Sequence, residues 1–177
     1  MPNRGSLVVM LLLAAGLTAS AAALWHHRQK THRALDLWGT QGSLLIEHAP
    51  EVTLFRMEEL HGEAASAGKA TVRVANRDFV LTDAHDMEGA AGFSHVRWGL
   101  CQDSSYAWDK DCDACDNPRW DYAIRFVDRD RRIIIALDTQ YGLVTEVGSD
   151  RCTSISPIAK DVATVLARKL PAHAPKK

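Results

Sequence analysis

The stretch Tyr122-Ala-Ile-Arg-Phe-Val-Asp-Arg-Asp-Arg-Arg-Ile-Ile-Ile-Ala-Leu-Asp138 decides the fold. Two runs rich in β-branched and aromatic residues flank the polar triplet 128–130, which predicts a strand at Tyr122–Val127, a tight turn, and a buried strand at Arg132–Asp138. A third strand is predicted at Gly142–Val147, after a turn at Gln140-Tyr141. The sequence therefore predicts an antiparallel meander in this part of the chain.

Working outward, the remaining elements are shorter and mixed in type. Further strands are predicted at Val52–Met57, Thr71–Ala75 and Asp78–Leu81. Helices are predicted at Ala34–Ala49 (interrupted around Gly39–Gly42), at Asp83–Leu100 with Thr82 as its cap, and at Pro157–Leu170 with Ser156 as its cap. Because no βαβ unit repeats, we expect an α+β fold. It would consist of an antiparallel sheet of about five short strands with two or three helices, forming one domain over residues 34–170, and residues 171–177 are predicted to be a disordered tail.

The first 24 residues predict export or membrane anchoring. Arg4 precedes an unbroken stretch of apolar and small residues, and Ala19-Ser-Ala21 or Ala21-Ala-Ala23 fits a cleavage site. Residues 5–24 are also long enough to span a bilayer if they are not cleaved. Residues 25–33 are predicted to be a basic linker. We therefore expect residues 1–24 to be a signal peptide or an anchor, with the domain periplasmic or otherwise extracytoplasmic, secreted or held at the inner membrane.

Charge and motifs exclude several classes of function. The chain has 21 Lys and Arg residues against 22 Asp and Glu residues, so it offers no basic surface for nucleic acid. No serine lies in a nucleophile motif, and neither a zinc-protease motif nor a glycine-rich phosphate loop is present. No catalytic residue is predicted, and the sequence leans towards a protein that is not an enzyme.

The sequence leaves open the chemical role of its four cysteines, which are Cys101, Cys112, Cys115 and Cys152. Outside the cytoplasm they are expected to form two disulfides, with Cys101–Cys112 and Cys115–Cys152 the favoured pairing. In a domain that faces the cytoplasm, the same four could instead hold a structural zinc ion. Cys112 and Cys115 also have the C-x-x-C spacing of thiol oxidoreductases, although the neighbouring carboxylates would raise the thiol pKa. A disulfide-stapled domain without a cofactor is the leading prediction.

Two segments resemble a family of small, uncharacterised bacterial exported proteins or lipoproteins. The first is Ala49-Pro-Glu-Val-Thr-Leu-Phe-Arg56, and the second is a Cys-x-x-Pro motif that leads into an arginine-bearing strand, Cys115-Asp-Asn-Pro118 through Arg125-Phe126. Many members carry a cysteine-rich stretch on the next strand, where this chain has Ile135-Ala-Leu-Asp-Thr139. The resemblance covers roughly residues 45–170 and implies the same fold and location. It also singles out Arg56 and Arg125 as candidate anion-binding or ion-pair positions.

The tryptophans suggest how such a domain would act. Trp98, Trp108 and Trp120 cluster in sequence around the cysteine loop, where they would pack over the disulfides or, if exposed, form a surface for a partner. We therefore expect an exported or membrane-anchored envelope domain that acts through protein or surface interactions, with an envelope protein as its partner. The alternatives are a thiol protein that uses Cys112 and Cys115, and a zinc-stabilised cytoplasmic domain.

Overall fold

The computed structural model describes residues 4–60, 70–110 and 118–171. Its helices are α1 Arg4–His48, α2 Phe93–Leu100 and α3 Ala159–Lys169, with a short 3₁₀ turn at Asp103–Ser105. Its strands are β1 Glu51–Glu59, β2 Thr71–Val74, β3 Arg77–Asp86, β4 Tyr122–Asp128, β5 Arg131–Asp138, β6 Leu143–Glu146 and β7 Cys152–Ser154. The predicted α+β class is confirmed.

All seven strands form one sheet in the order β2-β3-β1-β4-β5-β6-β7, and every neighbouring pair is antiparallel. The predicted hairpin at its centre is confirmed: β4 and β5 pair from Tyr122↔Leu137 to Asp128↔Arg131, and Arg129 at the turn has a positive φ of 55°. The sheet has more strands than the five or so expected. One reason is that β7 has only three residues, too few to give a sequence pattern.

The predicted helix at Asp83–Leu100 is wrong in its first half. Residues through Asp86 continue β3, which pairs with β1 as far as Thr53↔Asp86. The helix begins only at Phe93, after Gly92, whose φ is 83°. Met87 is apolar and lies at helical spacing from Ala90 in the sequence, but in the structure it is buried in the core directly after the end of β3. Tertiary pairing has overridden a local pattern.

The helices cover one face of the sheet, and this face carries the main core. Alternate residues of the central strands point to it, as the period of a strand requires. They are Val52 and Leu54 of β1, Tyr122, Ile124 and Phe126 of β4, and Ile133, Ile135 and Leu137 of β5. The opposite face carries a second, smaller cluster that includes Phe55, Met57, Phe79, Trp120, Ala123 and Ala136.

Helix α1 belongs to two environments. Val8–Trp25 is wholly exposed, and by length and composition it is the one helix among the described residues that is apolar enough to cross a membrane. Farther along, Ala34, Trp38 and Ile46 are buried in the main core. The predicted interruption is confirmed at Gly39, where φ is 69° and ψ is 167°, a conformation open essentially to glycine alone.

One predicted helix boundary needs correction, and the predicted linker is helical. Residues 25–33, expected to be a linker, continue α1 as helix, so the apolar segment and the domain share one element. The last helix begins at Ala159 rather than Pro157, and no side chain caps it, so Ser156 is not its cap. Of the predicted tail, residues 172–177 lie outside the described residues.

Candidate functional site

Helix α1 is fastened to the domain just after it leaves the apolar segment. The carboxylate of Asp103 accepts hydrogen bonds from the backbone N–H groups of Arg33 (3.1 Å) and Ala34 (2.7 Å). One turn later, Trp38 Nε1 donates to the carbonyl of Leu100 and to the hydroxyl of Tyr106, both at 2.8 Å. Burial raises the pKa of Tyr106, so the phenol stays protonated and keeps its place in this network.

Three arginines hold the C-terminal ends of the helical segments. Arg151 donates to the carbonyl of Asp36, in the arm of α1 that ends at Gly39. Arg97 donates to the carbonyls of Ile46 (2.6 Å) and Ala49 (2.9 Å), at the end of the second arm. A cation satisfies the free carbonyls of a helix end and offsets its partial negative charge. The bend in α1 is thus fixed at both of its arms.

Arg56 is the third of these arginines. It donates to the carbonyl of Pro171, just past α3, and forms an ion pair with Asp83 at 3.3 Å. Tyr122, its partner in the register of β1 and β4, donates to the carbonyl of Leu170. The ion pair predicted for Arg56 is therefore present, and the side chain supports the end of α3.

Arg125 lies on the opposite face of the sheet from Arg56. Its guanidinium stacks over the ring of Phe55, 5.1 Å from the centroid, and donates to Thr53 Oγ1. Among the described residues no carboxylate lies within ion-pair distance of it. Because the two arginines occupy opposite faces, they do not form a shared anion site.

Cys101 is a free, buried thiol, so the predicted Cys101–Cys112 disulfide is wrong. It lies at the C-terminal end of α2, facing α1, where its Sγ is 3.8 Å from the carbonyl oxygen of Ser43. Burial is the main reason that the pKa of this thiol rises to about 12, and the nearby Glu47 adds to the effect. The thiol is neutral and packs as a small apolar side chain.

Cys152, by contrast, is disulfide-bonded. It lies on β7 and packs against the second cluster. Cys112 and Cys115 lie outside the described residues, so the Cys115–Cys152 pairing and the C-x-x-C alternative stay predictions. The sulfur of Cys152 in a disulfide has no thiolate to offer a metal, so the four-cysteine zinc set does not fit this arrangement. No cluster of metal-ligating side chains occurs among the described residues.

The three tryptophans of the predicted cluster separate in space. Trp120 is buried in the second cluster, and Trp108 packs against Tyr106 with 4.6 Å between ring centroids. Trp98, on α2, is 59% exposed. Only Trp98 therefore offers the kind of surface that the sequence suggested for a partner.

Trp98 lines a groove in the elbow of α1, which we call the elbow groove. Leu24, Thr31 and Leu35 come from the first arm of α1, and Thr40, Ser43, Leu44 and Glu47 from the second. Trp98, Cys101 and Gln102 complete the lining, around a volume of about 540 Å³. Its walls are mostly apolar, and Leu35, Leu44 and Trp98 are all exposed. The sequence could not reveal this groove, because it depends on the bend at Gly39 and on where α2 packs.

A buried carboxylate outside the elbow groove, that of Asp138, has a structural role. Asp138, wholly buried, accepts hydrogen bonds from the backbone N–H groups of Arg119, Gln140 and Tyr141. Burial raises its pKa, and those three bonds oppose the shift. The carboxylate orders the turn between β5 and β6.

Comparisons with known proteins identify no relative of this chain. No protein-family model, no curated protein and no solved structure matches the chain.

Proposed function

We propose that this protein is an extracytoplasmic domain held at a membrane by α1, and that it acts by binding another protein rather than by catalysis. The observation that carries the proposal is the division of α1. Val8–Trp25 is apolar and wholly exposed, whereas the same helix packs one side into the core of the domain from Ala34 onward, through Ala34, Trp38 and Ile46. An exposed apolar helix of this length is unfavourable in water and favourable in a bilayer.

The disulfide at Cys152 supports an extracytoplasmic location for the domain. Disulfides form and persist in oxidising compartments, and thiol-reducing systems remove most of them from the cytoplasm. A disulfide-bonded Cys152 together with an N-terminal apolar helix favours export of the domain. The basic residues after Trp25 favour the opposite orientation, so the topology needs a direct test.

The way in which α1 joins the domain supports a binding role close to the membrane surface. Asp103, Leu100 and Arg97 hold α1 from Arg33 onward against α2 and the turn that follows it, and the helix runs back without a break from there to the membrane segment. The domain would thus present its surfaces at a set height and orientation above the bilayer. The elbow groove is an apolar groove that lies next to the anchor.

Membrane extraction tests the anchoring part of this proposal, and cysteine labelling tests on which side of the membrane the domain lies. The full-length protein should stay in the membrane pellet after washing at high pH. A cysteine introduced at Asp130, in the exposed β4–β5 turn, should react with a membrane-impermeant maleimide in cells whose outer membrane has been permeabilised. Wild type is the matched control for background thiols. Release of the protein into the soluble fraction, or labelling of Asp130→Cys only after the inner membrane is broken, would contradict the proposal.

A further inference from the structure

Arg125 is a half-buried cation that has no anionic partner among the described residues. Its one hydrogen bond there runs from Nη2 to the hydroxyl of Thr53, at 3.3 Å, and its guanidinium lies over the ring of Phe55. Nε is shielded from solvent and has no acceptor in the described part of the chain. Because a guanidinium has five N–H donors, most of the donors of Arg125 lack a protein acceptor within these residues.

The other half-buried arginines of the strands are paired within the chain. Arg56 forms an ion pair with Asp83, and Arg77 forms one with Glu59, both at 3.3 Å. Burying a charge even in part is costly unless the charge is paired and hydrogen-bonded. Arg125 therefore differs from the other two, because its side chain is held in place by a ring and a hydroxyl but meets no carboxylate in the described structure.

The side chains around Arg125 form a small apolar patch on the face of the sheet opposite the helices. Thr53, Arg125 and Ile134 lie side by side in the register of β1, β4 and β5. Val127 lies two residues along β4 on the same face, and Val147 packs beside Ile134 against the second cluster. All five are half-buried, whereas the same face is fully buried farther along these strands. We call these five residues the Arg125 patch.

The charges that border the patch favour a singly charged ligand. Three exposed charged side chains lie on the same face in neighbouring register positions, and they are Asp86, Glu51 and Arg132. Together with Arg125 they make two positive and two negative charges, which cancel. Nucleic acid and anionic membranes are bound by fields of many like charges, which this patch does not have. A single carboxylate suits it better, because its two oxygens match the planar fork of a guanidinium.

We propose that Arg125 binds a carboxylate of a partner protein, with the apolar side chains of the Arg125 patch packed around the contact; this rests on the proposed protein-binding role and states where and by which chemistry the partner binds. Nη1 and Nη2 donate to the two carboxylate oxygens, while Phe55 and Thr53 hold the guanidinium in place. A fixed arginine among apolar side chains is typical of the residues that dominate protein interfaces. An acceptor from outside the chain completes the hydrogen bonding of the guanidinium.

Nuclear magnetic resonance tests this site, because the shielded Nε–H of Arg125 should exchange slowly with water and give a resolved signal. The full-length protein, uniformly labelled with ¹⁵N, is titrated in detergent micelles with sodium acetate at constant ionic strength. We expect a saturable shift of the Arg125 signal with a Kd on the order of 1–10 mM, since the contact is one ion pair at a partly exposed site. A blocked leucine-aspartate-leucine peptide should bind roughly fivefold more tightly than acetate because it also buries apolar surface. Its asparagine analogue should give no saturable shift.

Variants assign the response to Arg125. Arg125→Lys keeps the charge and removes the planar fork, so the Nε signal disappears and the peptide-induced shifts of the neighbouring backbone amides should be lost. Arg132→Gln removes an exposed cation from the same face and is the matched control, with a Kd within about threefold of wild type. If Arg125→Lys does not fold, Thr53→Val assigns the signal instead, because it removes the acceptor of Nη2.

The outcomes separate this inference from the anchoring proposal. The absence of a saturable shift with acetate and peptide, tighter binding of inorganic phosphate than of the aspartate peptide, or a complete loss of binding in Arg132→Gln would each overturn the site. Protein that stays in the membrane pellet but does not bind the peptide contradicts only this inference. Protein that binds the peptide but is released from the membrane contradicts only the anchoring.

Discussion

The carboxylate of Asp103 and the backbone N–H of Ala34 lie 2.7 Å apart, although 69 residues separate them in sequence. In an uninterrupted helix that N–H would bond to a carbonyl four residues earlier. Asp103 adds a charged acceptor to two N–H groups that lie inside α1, ahead of its break at Gly39. This contact fixes the point at which the helix joins the domain.

Replacing Asp103 tests that junction. Asp103→Ala should lower the free energy of unfolding by about 1–2 kcal/mol, because two backbone N–H groups lose a charged acceptor. Chemical denaturation of the detergent-solubilised protein would measure it. Asp109→Ala, at an exposed carboxylate in the following loop, is the matched control and should change stability by less than about 0.5 kcal/mol. Equal losses in the two variants would mean that Asp103 does not stabilise α1.

Replacing Arg97 should lower the stability of the protein more than replacing a typical surface arginine. Its guanidinium bonds to the carbonyls of Ile46 and Ala49, lies 5.8 Å from the ring centroid of Phe126, and is partly desolvated, which lowers its pKa. Arg97→Met keeps the apolar stem and removes both bonds, so we expect a loss of about 2–3 kcal/mol.

Thermal unfolding gives the readout for that variant. For a domain of this size, the expected loss corresponds to a fall in Tm of roughly 6–9 °C. Arg131→Met, at an exposed arginine beside the β4–β5 turn, is the control and should leave Tm within about 2 °C of wild type. A Tm for Arg97→Met within that same range would contradict the assigned role.

The thiol of Cys101 should be inert in the folded protein. With a pKa of about 12, almost none of it is thiolate at pH 8, and the side chain is buried. Iodoacetamide should therefore modify Cys101 only in denaturant, as peptide mass spectrometry would show. Rapid modification of the native protein at pH 8 would place Cys101 at the surface.

The same thiol makes the stability of the protein depend on pH in the alkaline range. Its folded pKa lies above the ordinary value of 9.0, so the unfolded chain loses this proton first. The stabilisation is complete below pH 9 and is lost as the pH rises towards 12. Cys101→Ser has no such group, so the stability difference between wild type and this variant should shift against wild type over that range. A difference that stays constant from pH 8 to 12 would refute the shift.

The disulfide at Cys152 should contribute a large share of stability. Cys152→Ser should cost about 2–4 kcal/mol, because the unfolded chain regains the freedom that the bond removed. Reduction of wild type by dithiothreitol should give the same loss in denaturant unfolding and should have little further effect on Cys152→Ser. Cys101→Ser serves as the control and should keep its full sensitivity to reduction.

The hairpin and the break at Gly39 were predictable because each depends on neighbouring residues. The polar triplet 128–130 between two apolar runs predicts a turn, and Gly39 lies where the helical spacing stops. The continuation of β3 through Asp86 was not predictable, because β1 pairs with it from 25 or more residues away. Chain topology, not local propensity, decides such a segment.

The candidate site was predictable only in part. An exposed tryptophan was one of the two outcomes expected for Trp98, and the ion pair of Arg56 was among its predicted roles. The burial of Cys101 was not foreseeable, since its spacing from Cys112 suits a disulfide as well as a free thiol. The elbow groove combines two arms of α1 with α2, and no sequence pattern records how those three segments pack.

We propose that an intact α1 anchors an oxidised, extracytoplasmic domain. Mass spectrometry of protein purified from native membranes tests it most directly, with alkylation in denaturant before and after reduction. We expect a chain that still carries residues 1–24 and a Cys152 that is alkylated only after reduction. A chain that lacks residues 1–21 or 1–23, or a Cys152 that is alkylated without reduction, would contradict it.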